Sequence, residues 1–451
     1  MGFREMAVIF GLVLVVGLTL RRPFVGVLAI LVCAVLRDTM RVETYGFFLQ
    51  VHGFQWLYLS TILSVVLAHP DQLSDFVPRS LTDWGMLGFL GVMVTSAAVN
   101  GVSIMSHKYI DLFFKATVIY FLASRLTNTS RRVTLVAVSL ILATTYLTQK
   151  AWQRYRSGEF SHARPYFGTL YHEFGLQLVI TTPLIGAMLA KKMRFYWKLG
   201  LLAMLPLYVL VSMRTDSRSS MLGVMFGIAL LVWYHRKRWY LFIPGIPLIA
   251  YAILHNPESI LQRFESIWTH KTAAGNPDGS IASRFEQMRT AKRVVARNPV
   301  FGIGPRQFFM RYHDYVSNND ASGGSYTMHS VPLLIVCEEG LLGFIVYYGM
   351  LVLGALLDAW YAVRKTRGDP EMESIGVISA GALMGFLSFL AFGLGQPAMW
   401  VINIYITVAL VSATRRVVTA HLLAQAAEEK AKQGAPVSWF PQTASTEIVF
   451  S

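Results

Sequence analysis

Residues 329–363 read HSVPLLIVCEEGLLGFIVYYGMLVLGALLDAWYAV, and residues 340–357 of this stretch carry no charged side chain. A helix needs about 20 predominantly apolar residues to cross the hydrocarbon core of a bilayer. It also satisfies its own backbone hydrogen bonds, which lipid cannot do. The stretch therefore predicts a transmembrane helix.

Apolar runs of this kind recur along the chain. We place spans near 5–20, 23–37, 47–68, 84–101, 109–125, 132–149, 169–190, 196–213, 217–235, 239–255, 329–363, 375–395 and 398–418. The first run resembles a signal peptide, but Arg21-Arg22-Pro23 and a second apolar run follow it directly, so we interpret it as a retained helix. The prediction is an all-α, polytopic transmembrane bundle of 12–13 helices over residues 1–419.

The composition agrees with this class. Of 451 residues, 54% are hydrophobic and 14% are charged, whereas about a quarter are charged in soluble domains. A soluble fold could not cover so much apolar surface with polar groups. The two cysteines, Cys33 and Cys337, lie in apolar runs and indicate neither a disulfide framework nor a metal site.

The net charge of +15 could indicate nucleic-acid binding, but the basic residues cluster between the spans. The clusters are Arg21-Arg22, Arg125 with Arg131-Arg132, Lys191-Lys192 with Arg194, Arg236-Lys237-Arg238, Arg364-Lys365 with Arg367, and Arg415-Arg416. All six fall on one side if the spans alternate. An excess of Lys and Arg marks cytoplasmic loops, so the charge favours a membrane topology over a nucleic-acid surface.

This orientation gives one long outer loop, residues 256–328. Loops of that length in compact proteins are usually functional. Within it, residues 281, 285, 288, 291, 294 and 295 are apolar at helical spacing, and Arg284, Arg289, Lys292 and Arg293 form the polar face. We expect this helix to lie on the membrane surface or to fold back over the bundle. Residues 420–451 predict a cytoplasmic tail, helical at first and then disordered.

Four residues on the predicted outer side could carry chemistry. Arg214 and Arg218 flank the turn between two spans, Arg284 lies on the loop helix, and His329 opens the next span. Arginine presents a planar fork of donors to phosphate oxygens, a helix start adds free N–H groups, and histidine can act as a base near neutral pH. Taken singly, an arginine could instead reach to lipid headgroups, and a histidine at a helix start is often structural.

Two further residues, Lys115 and His172, are candidate substrate contacts near outer ends of spans. Lys115 lies four residues after Asp111. This spacing favours an ion pair between them, so a structural role for Lys115 remains open.

Several of these residues stand in motifs. The motifs are Ser217-Arg218-Ser219-Ser220, Arg284, Asn298-Pro299-Val300-Phe301-Gly302-Ile303-Gly304-Pro305 with Phe308, His329-Ser330-Val331-Pro332-Leu333, and Glu338-Glu339-Gly340-Leu341-Leu342-Gly343. Together they resemble the O-antigen ligase and polymerase family, over about residues 160–350. The start of the chain, Arg-Arg-Pro-Phe-Val-Gly-Val-Leu, is also similar to the O-glycosylation ligases associated with exosortase systems.

The resemblance implies a glycosyltransferase of the bacterial inner (plasma) membrane, with its active site facing the periplasm. The donor would be a glycan on undecaprenyl diphosphate, and the acceptor a hydroxyl of lipid A core, a protein or another glycan, without a metal ion or other cofactor. Carried over by position, Arg218 and Arg284 would hold the diphosphate, and His329 would be the base. Arg214 is a third candidate for the diphosphate.

The chain departs from the family pattern at Ser330, where the family often has Asn. Glu338 lies nine residues after His329, on the opposite face of a straight helix, so we expect a structural role for it. Two other functions remain open. A polymerase of lipid-linked repeat units would share the donor chemistry, whereas a transporter predicts internal repeats and charges near mid-bilayer. We find no repeat, and the charges cluster at one face, which favours the transferase.

Overall fold

The computed structural model describes residues 3–36, 53–159, 163, 171–191, 193–215, 217–234, 279–316 and 328–432. Within these ranges the regular structure is helical, with no strand. The long helices are α1 Phe3–Arg21, α2 Pro23–Leu36, α3 Gly53–Leu63, α4 Leu81–Asn100, α5 Ile104–Leu126, α6 Ser130–Arg156, α7 Tyr171–Leu189, α8 Phe195–Met213, α9 Arg218–Tyr234, α10 Gly279–Arg297, α11 Val331–Phe344, α12 Leu353–Lys365, α13 Glu373–Gly393 and α14 Ile402–Lys432. A π-helical segment, Ile345–Val352, joins α11 to α12.

Six helices in the described part of the chain are long and apolar enough to cross a membrane: α4, α6, α8, the continuous Val331–Lys365, α13 and α14. Four shorter apolar helices lie among them: α2, α3 with its extension to Ala68, α7 and α9. The predicted all-α, polytopic architecture is confirmed. The span predicted near 239–255 lies outside the described residues.

Helix α14 runs unbroken from Ile402 to Lys432. The helix expected at the start of the tail is therefore a continuation of the last span. The predicted disordered end, from residue 433 onward, lies outside the described residues.

Glycines bring α7, α9 and α13 together at the centre of the bundle. A Cβ added to Gly175 of α7 would lie 1.8 Å from the Oγ of Ser220 in α9. One added to Gly227 of α9 would lie 2.8 Å from Pro183 and 2.9 Å from the Oγ of Ser388 in α13. Small residues let helix backbones approach closely inside a membrane. These contacts fix the position of the outer half of α9.

The turn that follows α10 docks into a kink in α11. Gly340 has φ 70° and ψ −171°, a conformation that glycine adopts without steric cost. The kink frees backbone groups, so the N–H of Ile303 donates to the carbonyl of Cys337 at 3.0 Å, and that of Leu341 donates to the carbonyl of Pro299 at 2.8 Å. The Asn-Pro…Gly-x-Gly and Glu-x-Gly motifs are thus the two halves of one backbone contact.

Glu338 supports this contact. Its side chain is fully buried, and Oε1 accepts a hydrogen bond from the N–H of Phe308 at 3.3 Å. Its carbonyl accepts one from the Oγ of Ser96 at 2.9 Å. These contacts agree with the structural role expected for Glu338.

Buried ion pairs lie at the opposite end of the bundle, where the predicted cytoplasmic clusters are. Arg125 Nη2 lies 2.7 Å from Asp83 Oδ2, and both side chains are almost completely buried. The hydroxyl of Tyr120 donates to the same carboxylate at 2.7 Å. A second pair joins Arg415 to the buried Asp358. The buried carboxylates of Asp83 and Asp358 are therefore paired within the chain.

Candidate functional site

Helix α9 begins at Arg218, directly after Ser217. The N–H of Ser220 donates to the Oγ of Ser217 at 3.2 Å, which caps the first turn. The first N–H groups of a helix have no partner inside it, and the helix dipole makes this end positive. Arg218 is half-buried, so the start of α9 combines a cationic side chain with a positive helix end.

Arg284 meets this helix start at Gly395, two residues after the end of α13. The Oγ of Ser219 donates to the carbonyl of Gly395 at 3.3 Å. A Cβ added to Gly395 would lie 2.6 Å from that Oγ and 3.8 Å from Nη1 of Arg284. The structure therefore brings Arg284 to the first turn of α9, although the two lie far apart in the sequence.

The helix that carries Arg284 folds back over the bundle, where it packs against α11. Two residues of the predicted apolar stripe, Phe285 and Met288, are 56% and 46% exposed within the chain. The buried face carries Glu286, Gln287 and Thr290, together with Ala291 and Val294.

Polar side chains of α10 can be buried because the surface beneath this helix offers them polar partners. The hydroxyl of Tyr312 donates to Oε1 of Glu286 at 2.6 Å, with both groups buried. Gln287 accepts from His329. Polar side chains that find partners can be buried, so the inward face of this helix carries both polar and apolar side chains.

His329 is held by Gln287. The backbone N–H of His329 donates to Oε1 of Gln287 at 3.1 Å, and Nδ1 of the imidazole lies 3.2 Å from the same oxygen. His329 lies two residues before the start of α11, while Gln287 lies three residues after Arg284 on α10. The candidate base and the candidate diphosphate ligand are therefore joined through one buried glutamine.

This contact determines which ring nitrogen of His329 can take a proton. The backbone N–H can only donate, which identifies the atom of Gln287 that it contacts as the oxygen. That oxygen can only accept, so Nδ1 of a neutral His329 must carry the hydrogen. Its Nε2 is then the ring nitrogen without a hydrogen, as a general base requires.

Arg214 ends α8, four residues before Arg218. Its guanidinium lies 5.7 Å from the ring centroid of Tyr155, and its carbonyl accepts a hydrogen bond from the N–H of Ala163 at 2.7 Å. The aromatic contact gives Arg214 a structural role beside the start of α9. Its contact with diphosphate stays a prediction.

Neither of the other two candidates has a described contact with this cluster. Lys115 forms an ion pair with Asp111, and both side chains are partly exposed, as the spacing predicted. His172 lies in the first turn of α7, and its side chain lies outside the described residues. A substrate contact stays a prediction for both.

Sequence reasoning missed Gln287 and Gly395. The spacing of Gln287 from Arg284 places the two near one face of a helix, which was a usable signal. Gly395 carried no signal, because its role depends on two helices that are distant in the sequence.

The arrangement can hold an anion and remove a proton. Within the described ranges, no group of three or more His, Cys, Asp or Glu side chains could hold a metal ion. The positive charge at this end comes from Arg284, Arg218 and the start of α9, with the imidazole of His329 close to them through Gln287. Such a set suits an anionic leaving group and a hydroxyl nucleophile.

A comparison with models of protein families gives a match. The O-antigen ligase family model covers residues 199–348, one third of the chain. This segment runs from α8 to the start of the π-helical segment and contains Arg214, Arg218, Arg284 and His329. No curated protein matches the chain. The family resemblance of the sequence is confirmed, and this multi-pass membrane protein matches the O-antigen ligase family over residues 199–348.

Proposed function

We propose that the protein transfers a glycan from undecaprenyl diphosphate to an acceptor hydroxyl in the manner of an O-antigen or polysaccharide ligase, without a metal ion. One observation carries the proposal. Arg284 contacts the region of Gly395 and Ser219, beside Arg218, and Gln287 on the same helix holds His329. The groups that would bind the leaving group and the group that would deprotonate the nucleophile therefore lie at the same end of the bundle.

The diphosphate would bind between Arg218, Arg284 and the first turn of α9. Diphosphate leaves readily once its developing charge is neutralised, and preorganised cationic donors achieve this without solvent reorganisation. Guanidinium groups remain charged at every accessible pH. Arg214 would add charge at the edge of the same region.

Nε2 of His329 would accept the proton of the acceptor hydroxyl. The oxygen then attacks the anomeric carbon as the bond to the diphosphate oxygen breaks. The diphosphate leaves with the bonding electron pair, and the proton stays on the imidazole. A single displacement of this kind inverts the configuration at the sugar.

The charge distribution supports an active site on the periplasmic face of the inner membrane. The basic clusters near Arg125, Arg364 and Arg415 lie at the ends of α5, α12 and the membrane part of α14, whereas Arg218 and His329 lie at the starts of α9 and α11. Basic clusters mark the cytoplasmic side, so the proposed site lies on the other side.

A glycan gel tests the proposal. A strain that lacks the gene would be compared with the same strain carrying it. Accumulation of long chains on the lipid carrier, with none on the acceptor, supports a ligase. An acceptor carrying single repeats indicates the polymerase instead. An unchanged pattern contradicts both, and a transport assay follows.

A further inference from the structure

The outward face of α10 combines apolar and basic side chains. Phe285 and Met288 are exposed within the chain, and so are Arg289, Lys292 and Ala296. At about 100° per residue along a helix, these five positions fall within an arc of about 100°. They therefore form one continuous face, on the side of the helix opposite its buried face.

The part of α11 that precedes its kink lies across the outer ends of two spanning helices. A Cβ added to Gly393, the last residue of α13, would lie 3.2 Å from Val331. The Oγ of Ser96, about one turn before the end of α4, donates to the carbonyl of Glu338 at 2.9 Å. The ends of spanning helices mark the membrane surface, so residues 331–339 run along that surface.

Helix α10 follows this part of α11 in the same direction. Gln287 contacts His329, just before α11 begins. Further along both helices, the thiol of Cys337 donates to the carbonyl of Ala291 at 3.9 Å. Helix α10 therefore also runs along the outer surface of the membrane.

The turn after α10 reaches the lipid-facing side of the bundle. The carbonyl of Val300 accepts a hydrogen bond from the N–H of Leu342 at 3.3 Å, in the first turn after the kink. Val300 is an exposed apolar residue, as are Leu341 and Ile345 on the spanning helix. Apolar side chains that a spanning helix leaves exposed face the hydrocarbon of the bilayer. The end of α10 therefore lies at the outer edge of that hydrocarbon.

The charges of the outward face indicate the kind of lipid that it contacts. Its basic residues are Arg289 and Lys292, whereas the one acidic residue of α10, Glu286, is buried. A helix with apolar and basic side chains lies in the interfacial region of a bilayer, and anionic headgroups attract its Lys and Arg. A zwitterionic lipid would accept the apolar side chains without attracting the basic ones.

We propose that the outward face of α10 docks on the outer surface of the bilayer and binds anionic phospholipids. Phe285 and Met288 lie at the boundary between headgroups and acyl chains, and Arg289 and Lys292 contact the headgroup phosphates. The polar contacts of the inward face also hold α10 to the bundle, so the loss of one basic group does not release the helix. This docking is separate from glycan transfer, and its test needs no glycan.

The collision rates of a nitroxide label test the docking, with the full chain in lipid nanodiscs. The label is attached to Met288→Cys in a chain that also carries Cys33→Ala, since Cys337 is completely buried. Oxygen partitions into the bilayer and a nickel complex stays in water, so the ratio of their collision rates reports the surroundings of the label. In discs of phosphatidylglycerol, this ratio should be closer to that of Ile345→Cys on the spanning helix than to that of Gln425→Cys on the exposed end of α14.

The contribution of the charges is tested in the same discs. Arg289→Glu combined with Lys292→Glu should shift the ratio at Met288→Cys toward the value in water. Discs of phosphatidylcholine should give a lower ratio than discs of phosphatidylglycerol without any change to the basic residues. The control is Arg131→Glu combined with Lys430→Glu, which makes the same change of charge at exposed residues on the other side of the bundle. It should leave the ratio unchanged.

A ratio like that of Gln425→Cys in both kinds of disc overturns the proposal and places the face in water. A high ratio that is equal in both lipids and in the charge-reversed variant overturns the binding of anionic lipid and leaves an apolar contact only. If the charge reversal lowers the unfolding temperature, the comparison of the two lipids with unchanged basic residues decides.

Discussion

Gln287 and His329 are joined by two hydrogen bonds to one oxygen, from the backbone N–H at 3.1 Å and from Nδ1 at 3.2 Å. The contact fixes both the position of the ring and the nitrogen that carries its hydrogen. A positioning residue of this kind can be tested through the pH dependence of the reaction.

We predict that Gln287→Glu shifts the acid limb of the kcat–pH profile to higher pH. A carboxylate beside Nδ1 favours the protonated imidazole, whereas catalysis needs the neutral one, so activity would be lost at a higher pH than in the wild type. Gln287→Leu should lower kcat without that shift. Identical profiles for the wild type and Gln287→Glu, at equal expression, would exclude a role for Gln287 in setting the state of His329.

Arg284 and Arg289 offer a matched pair on one helix. Arg284 reaches Gly395 and is half-buried, whereas Arg289 is exposed. Arg284→Ala should reduce kcat about 100-fold or more, as removal of a preorganised charge-stabilising donor does, and Arg289→Ala should leave it near the wild-type value. Equal effects of the two substitutions would mean that general surface charge, and not a defined site, supports transfer.

Arg218→Ala should lose transfer to a similar extent, with the folded yield unchanged. Arg218→Lys should retain part of the activity, because it keeps the charge and loses the planar fork. Arg131→Ala, at the exposed start of α6 on the other side of the bundle, is the control. A glycan gel of membranes with matched protein levels measures all three, and normal transfer by Arg218→Ala contradicts the proposed function.

Gly340→Ala should destabilise the fold. The added methyl group would lie 2.1 Å from the carbonyl oxygen of Val300, at a φ of 70°, and the backbone strain alone costs about 1–3 kcal/mol. Gly349→Ala in the same long helix meets nothing within 4 Å and should have little effect. Thermal unfolding in detergent compares the two, and similar unfolding temperatures would contradict the docking described for this kink.

Two ion pairs should differ in their contribution to stability. Arg125→Ala leaves Asp83 charged and buried, which should cost about 3–5 kcal/mol. Lys115→Ala breaks the pair with the partly exposed Asp111, which should cost less than about 1 kcal/mol. Transfer by Lys115→Ala, measured in the same preparation, also tests its predicted substrate contact: normal transfer would reduce Lys115 to its structural role.

Most of the helical architecture could be predicted, because a membrane helix depends on local properties of the sequence. These are the periodicity of the apolar residues and the length of each apolar run. The break at Gly340 was also foreseeable as a turn signal inside an apolar run. The segment that docks into this kink could not be predicted, because the carbonyl of Cys337 and the N–H of Ile303 meet only after folding. The likeness of the N-terminal sequence to O-glycosylation ligases stays a prediction.

The sequence indicated candidate residues for the site, but it did not indicate most of the contacts between them. Arg218, Arg284 and His329 stood out because charged groups beside spans are costly. The apolar pattern did not show which side chains of α10 face the bundle, because it cannot reveal that the neighbouring surface is polar. A contact such as that between Gln287 and His329, 42 residues apart, depends on how α10 folds back.

The two ends of the bundle differ in how their polar groups are satisfied. Asp83 and Asp358 are paired within the chain at one end, whereas at the other Gln177 and Asn403 keep oxygens without a partner in the described part of the chain. A substrate that binds only the native state raises the free energy of unfolding with the logarithm of its concentration above Kd. Since unfolded protein is removed by cellular proteases, the amount of this protein in the membrane would follow the supply of its own substrate.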